Sequence, residues 1–150
     1  MRLNGLIAGV GFQYHKAKQT IDVSGQFITP GFIDGHIHIE SSLLPVHEFV
    51  RLVLVRGTTA VVADPHEIAN VLGAKGVQYM LKASEGMPVD VFVMAPSCVP
   101  ATDMESSGAK VTEADITRLL KHERVLGLGE MMNYPGLAFG DEKVLGKVLA

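Results

Sequence analysis

The sequence has no tryptophan, one cysteine and only 6% aromatic residues. With Cys98 alone no intrachain disulfide can form, and a reducing, cytoplasmic setting is expected. No apolar run reaches the roughly 18–20 residues that a membrane span requires, so no membrane partner is expected. The opening Met1-Arg2-Leu3-Asn4 carries one basic residue and leads into a short apolar stretch broken by glycine, a poor match to a signal peptide. A surplus of charge of one sign is also missing. The net charge of −3 offers no basic surface for nucleic acid or an anionic membrane. What is abundant is apolar: 47% hydrophobic residues and a mean hydropathy of +0.26 in 150 residues. Such a composition fits strands buried on both faces, as in a parallel sheet covered by helices, or a piece of something larger.

Residues 1–29 differ from the rest. They hold short β-like pieces, Gly5–Val10 and Thr20–Val23, broken by glycine and polar residues, with Ser24-Gly25 as a turn before Gln26-Phe27-Ile28. They read as part of a small β domain with no core of its own. From Pro30 a rhythm sets in. Apolar strand-like runs at 32–38, 58–63, 89–95 and 125–130 alternate with helical patterns at about 45–56, 68–84, 112–122 and 141–150. Either Glu113 or Asp115 suits the first turn of the third helix, and Asp141 suits the cap of the fourth.

The strand ends fall at His36, Asp64, Ser97 and Glu130, separated by 28, 33 and 33 residues. A strand–helix unit takes about 30 residues, so residues 30–150 predict an α/β fold of about four consecutive units. A closed (β/α)8 barrel of the TIM type takes about 250 residues, so the expected architecture is a partial barrel, about half of one. A small open sheet is the alternative. Both place their sites at the C-terminal ends of the strands, where the reactive residues of this sequence lie.

His36-Ile37-His38 is the sharpest chemical feature. Residues i and i+2 of a strand point the same way, so both imidazoles can reach one ion. Two ordinary histidines near a strand end is the competing reading; the apolar strand before them and Asp34 beside them favour a ligand pair. Glu130 ends an apolar, glycine-rich run that gives no reason for a carboxylate. A charge beside a core must be paired or bound to metal, unless it reaches solvent at the strand end. Glu130 is therefore a candidate third ligand, able to bridge two ions. In Asp64-Pro65-His66-Glu67, helix capping accounts for Asp64, Pro65 and Glu67 and is the favoured reading. It leaves His66 unexplained, as a pocket or accessory metal residue. Glu67, Ser97 and Met131 are further pocket or accessory candidates on the same rim. His15, His47 and His122 read as surface residues. Cys98 reads first as a buried inert thiol.

Other enzyme patterns fail. His38-Ile39-Glu40 matches the His-x-Glu of cytidine-type zinc deaminases, but their Pro-Cys-x-x-Cys needs two cysteines. His47-Glu48 and His66-Glu67 begin like His-Glu-x-x-His, but Arg51 and Asn70 occupy the fifth positions. No Gly-x-Ser-x-Gly and no phosphate-binding Gly-x-x-x-x-Gly-Lys occurs.

Pro30-Gly31-Phe32-Ile33-Asp34-Gly35-His36-Ile37-His38 resembles the first-strand signature of the amidohydrolase superfamily. Four segments resemble its adenine deaminase family in particular: His36–Ser42, Gly57-Thr58-Thr59 with Ala63–Gly73, Ala95–Thr102 and Gly127–Asn133. The resemblance covers about residues 20–150. It implies a (β/α)8 barrel flanked by a small β-sandwich-like domain, with residues 30–150 as the first half of the barrel. It implies hydrolysis of adenine, a small purine, to hypoxanthine and ammonia by a binuclear centre using Mn²⁺ or Fe²⁺, with Zn²⁺ as a further choice. By position, His36 and His38 would bind one ion and Glu130 would bridge two. The family's histidines of strands five and six and aspartate of strand eight have no counterpart before Ala150, and the β appendage lacks its leading strands. The expectation is thus an amino-terminal fragment, inactive alone, of a cytoplasmic, homo-oligomeric purine-salvage enzyme. The rivals are another binuclear hydrolase, such as a cyclic amidase or TatD-type nuclease, and a non-catalytic fragment that self-associates through its open edge.

Overall fold

The computed structural model describes residues 2–3, 6–14 and 17–150, so the sequence reading at Gly5 and His15 lies outside the described residues. The chain divides into two compact units, Met1–Pro30 and Gly31–Ala150.

In the first unit, strands β1 (Arg2–Leu3) and β2 (Leu6–Ile7) pair antiparallel. The turn at Ser24-Gly25 forms as expected: Gly25 takes φ 77°, and Asp22 Oδ1 accepts from Ser24 N and Oγ at 2.9 and 2.6 Å. The flanking runs 20–23 and 26–28 are not strands. They have no apolar face to bury: Ile21, Phe27 and Ile28 are all exposed.

The second unit holds the α/β pattern. Its elements run β3 (Phe32–Ile37), a 3₁₀ turn at Ile39–Ser42, α1 (Val46–Leu54), β4 (Thr58–Ala63), α2 (His66–Leu72), α3 (Ala74–Ala83), β5 (Asp90–Ala95), α4 (Glu113–Leu119), β6 (Val125–Leu128), α5 (Tyr134–Ala138) and α6 (Glu142–Leu149). The four long strands form one parallel sheet in the order β3-β4-β5-β6, the sequential order of an unclosed half barrel. Val61, Ala63, Val91, Val93 and Ala95 alternate onto one buried face. Against it pack Val46, Phe49 and Val50 of α1, Val77, Met80 and Leu81 of α3, and Ile116 and Leu119 of α4. These helical positions repeat at i, i+3 and i+4, the period that puts one stripe on one face.

Three expectations change. The run at 68–84 is two helices, because Gly73 adopts φ 62° and ψ −144°, a conformation that ends α2 and restarts the chain as α3. A glycine inside a helical period carries little warning of this. Strand β3 is not buried: Phe32 and Ile33 are 63% and 70% exposed. It is an edge strand with no neighbour on one side, so its apolar residues find nothing to pack against. The far face of the sheet, with Val62, Phe92 and Met94, is half-buried rather than buried. Among the described residues no helix is long and apolar enough to cross a membrane.

Candidate metal centre

The parallel strands all deliver their C-terminal ends to one rim, and the chemistry collects there. The ladder is irregular between Asp34 and Ile37: Gly35 and His36 of β3 oppose the single Val62 of β4, between the pairs Asp34–Val61 and Ile37–Ala63. This bulge sits at Gly35-His36, and Asp34 Oδ1 accepts from His36 N at 3.2 Å. It aims His36 and His38 at each other, with their Nε2 atoms 3.2 Å apart and ring centroids 5.0 Å apart.

Glu130, two residues past β6, completes the cluster. Its carboxylate oxygens lie 3.1 Å from His38 Nε2 and 3.8 Å from His36 Nε2. One donor atom from each of His36, His38 and Glu130 falls within 4.8 Å of the others, close enough for one cation. Glu130 is held through its backbone. Its N–H donates to Asp64 Oδ2 at 2.9 Å, and the Ser97 hydroxyl donates to its carbonyl.

Asp64 does not play the capping part expected of it. Pro65 occupies the N-cap of α2 with no side-chain cap hydrogen bond. Asp64, wholly buried, instead turns its carboxylate into the rim toward Glu130 N. The rim amide takes the carboxylate in place of the helix start. His66 is 4% exposed and joins a second cluster, Asp64–His66–Glu130, which shares Glu130 with the first. Glu67 likewise does not close a capping box. Its Oε1 accepts from Ser41 Oγ at 2.6 Å, and its Oε2 stands 3.3 Å from His38 Nδ1. Ser97 reaches the centre only through the Glu130 backbone. Met131 faces away, accepting from Cys98 Sγ at 3.3 Å. Cys98 is buried, while His47 and His122 are exposed.

The electrostatics follow the geometry. Burial pushes the His38 imidazole down, but the charges of Glu67, Asp64 and Glu130 outweigh it, so its pKa is raised. Burial pushes Glu67 up; the hydrogen bonds from Ser41 and its own backbone, with His38 nearby, bring it below its ordinary value. Burial raises Glu40, more than the backbone N–H donors and His38 lower it. The sequence reading offers Glu40 only in a zinc-deaminase pattern that fails and gives Ser41 no chemical role, although both lie in a segment that carries the family resemblance. Asp64 had a usable signal, a carboxylate at the end of an apolar strand, the same one that drew attention to Glu130.

The donor chemistry fits a divalent ion. Buried polar atoms are normally hydrogen-bonded. Here His38 Nδ1, Glu40 Oε2, Asp64 Oδ1 and both ring nitrogens of His66 have no hydrogen-bond partner. His66 Nδ1 and Asp64 Oδ1 are 2.7 Å apart without hydrogen-bond alignment. Mixed imidazole and carboxylate donors suit Mn²⁺, Fe²⁺ or Zn²⁺.

Comparison with known proteins agrees with the fold. The Amidohydrolase family matches residues 27–150. The chain is 54% identical over 145 residues to an adenine deaminase of Syntrophobacter fumaroxidans, an alignment covering 97% of this chain and 25% of the relative. It is 53% identical over 134 residues to the adenine deaminase of Desulfatibacillum aliphaticivorans, covering 89% of this chain and 24% of that protein. The adenine deaminase of Clostridium acetobutylicum is 52% identical over 139 residues, covering 93% and 24%. The chain thus spans about a quarter of the length of the curated relatives it matches. A parallel β/α sheet, a His-x-His at the end of its first strand and a carboxylate beyond its fourth stand together with these matches: the chain belongs to the amidohydrolase family.

Proposed function

We propose that the polypeptide to which these residues belong hydrolyses adenine to hypoxanthine and ammonia. The observation that carries this reading is the convergence of His36, His38 and Glu130 on the rim of the half barrel, in a segment about half identical to adenine deaminases. His36 and His38 would hold one divalent ion, and Glu130 would share its carboxylate with a second. The ions are Mn²⁺ or Fe²⁺, with Zn²⁺ the alternative. When bound, they supply Lewis acidity and lower the pKa of coordinated water for hydrolysis near neutral pH.

The chain's own residues orient the donors. Glu67, anchored by Ser41, faces the Nδ1 side of His38, which leaves Nε2 directed at Glu130. Such outer partners fix the ring and raise its basicity as a ligand. Asp64 and Ser97 pin the Glu130 backbone, so its carboxylate starts from a fixed position. His66 and Glu67 line the rim where the purine enters; Ser97 and Met131 lie behind it. Residues 1–29 belong to a small β-sandwich-like domain, and residues 30–150 form the first half of the barrel. The enzyme is a cytoplasmic homo-oligomer of purine salvage that acts on a small molecule, with no nucleic acid or membrane partner. Residues 1–150 alone are inactive, because three ligands at a half-open rim hold metal weakly and the remaining ligands and the general acid–base group are not among them.

A substrate panel tests this. The metal-loaded full-length polypeptide is expected to release hypoxanthine and ammonia from adenine and to leave cyclic amides and DNA untouched. Turnover of a cyclic amide or of DNA, with adenine unchanged, overturns it. Adenine turnover by residues 1–150 that is lost in His36→Ala overturns the inactivity of the segment.

A further inference from the structure

We infer that Lys147 is a positioning residue for the metal centre: from helix α6 its ammonium holds the Ser97 backbone, and through Ser97 it sets where Glu130 presents its carboxylate. This role rests on the reading above, in which Glu130 is a metal ligand, and it adds to that centre a residue from outside the rim.

Ser97 lies two residues beyond β5, where the strand ladder no longer supplies donors to its backbone. It is 1% exposed, so its carbonyl needs a donor from within the protein. Lys147 is that donor: its Nζ stands 3.0 Å from Ser97 O, across 50 residues of sequence. The hydroxyl of the same serine donates to the Glu130 carbonyl. Carbonyl and hydroxyl leave one residue, so a clamp on the first fixes the direction of the second. Glu130 N is held separately, by Asp64 Oδ2 at 2.9 Å. Without Ser97 in place, Glu130 keeps one of these two backbone anchors.

Lysine normally keeps its ammonium in water while its stem packs. Lys147 is half-buried instead, and burial lowers its pKa against the opposing charges of Cys98, Asp103 and Asp141. Among the described residues its one hydrogen bond is the bond to Ser97 O. The helix directs it there. Val144, three residues earlier on the same face of α6, is buried and seats that face against the core, whereas Lys143 next to it is exposed. Two effects of removing the ammonium oppose each other. Losing a positive charge near the rim favours a cation there. Losing the clamp on Ser97 lets Glu130 shift and weakens it as a ligand. A fall in metal affinity therefore reports positioning, and a rise reports charge alone.

The test is Mn²⁺ affinity of the chelator-stripped full-length polypeptide, read from the loss of the free-ion electron paramagnetic resonance signal on titration, with circular dichroism melts of the metal-free protein alongside. Removing a direct partner of a metal ligand costs about 10–100-fold in affinity; Lys147 acts one residue further out, so Lys147→Met is expected to bind Mn²⁺ about 3–10-fold more weakly. Lys147→Arg, which keeps a donor for Ser97 O, is expected to restore the affinity, and Lys143→Met on the same helix to leave it unchanged. In a Ser97→Ala background the hydroxyl link to Glu130 is gone, so Lys147→Met should cost nothing further there. Lys147→Gln stands in should Lys147→Met not fold; failure of both to fold assigns Lys147 to the fold and overturns its role at the centre. Unchanged or higher affinity in Lys147→Met overturns that role, as does a loss that Lys143→Met shares or that persists in full with Ser97→Ala. If His36→Gln still loses Mn²⁺ in those titrations, the reading of the centre stands without Lys147. A parent that binds no Mn²⁺, or whose affinity His36→Gln leaves intact, overturns that reading and the role of Lys147 with it.

Discussion

Gly129→Ala isolates the contact on which the rim depends. Gly129 follows β6 and donates its N–H to Ala95 O at 2.7 Å, continuing the sheet by one bond. An added Cβ would stand 2.5, 2.7 and 2.9 Å from Oδ2, Oδ1 and Cγ of Asp64. Asp64 is wholly buried, so its carboxylate must rotate or the strand end must move. Rotation breaks the 2.9 Å bond from Glu130 N. A hydrogen bond to a charged group contributes about 1.5–3 kcal/mol, and overpacking adds about 1–3 kcal/mol. Partial relaxation lets the two losses overlap, so the expected destabilisation is about 2–4 kcal/mol. For a domain of this size each kcal/mol lowers Tm by about 2–4 °C, so the shift is about 4–16 °C. Thermal melts followed by circular dichroism measure it. Gly35→Ala is the control, because nothing lies within 4 Å of its Cβ; its effect should stay within about 0.5 kcal/mol. A Gly129→Ala melt indistinguishable from the control would refute the placement of Asp64, and with it the inner half of the rim.

Four further outcomes follow from packing and charge. Arg124 donates from Nη1 to Ser84 Oγ at 2.8 Å and to Val91 O at 3.2 Å, and from Nη2 to Leu81 O, tying the end of α3 to the sheet. Arg124→Ala should cost about 2–3 kcal/mol in urea unfolding, and a cost under about 0.5 kcal/mol would contradict the clamp. Ile116 is fully buried in the core, so Ile116→Ala should cost about 2–5 kcal/mol by the same assay. Asp115 is held below its ordinary carboxyl value by hydrogen bonds from the Thr112 hydroxyl and N–H in a capping box. A depressed folded pKa gives stability that is present above the unfolded value, near 3.8, and lost as pH falls through the folded one. Asp115→Ala should therefore cost about 0.5–2 kcal/mol at neutral pH and progressively less below pH 3.8, and a pH-independent difference would contradict the box. Cys98 is 2% exposed, so a thiol reagent should label it only under unfolding conditions; rapid labelling of the native chain would contradict its burial.

The sequence by itself determined the four β/α units and the strand ends at which the reactive residues lie. Apolar β-branched runs spaced about 30 residues apart can bury themselves only as parallel strands under helices. The bulge at Gly35-His36 sets how the two rings finally meet; the period of two in a strand is enough to predict His36 and His38 on one side. Composition and local periodicity suffice for that, because backbone geometry is local. Glu130 was legible for a related reason, a charge where a strand otherwise has none.

Other features came only from tertiary structure, because they depend on what lies opposite in space. Asp64 and Glu67 have a local sequence that satisfies a helix cap, yet both carboxylates face partners far along the chain: Glu130 N for Asp64, Ser41 and His38 for Glu67. Local pattern cannot distinguish two acceptable hydrogen-bond donors when one is distant. The exposure of β3 is also invisible in its composition. Phe32 and Ile33 are as apolar as the buried Val61 and Val93, and only the strand order places them at an edge. The break at Gly73 and the close approach at Gly129 are the backbone counterparts. A glycine in a sequence is a permission, and the packing around it decides whether that permission is used.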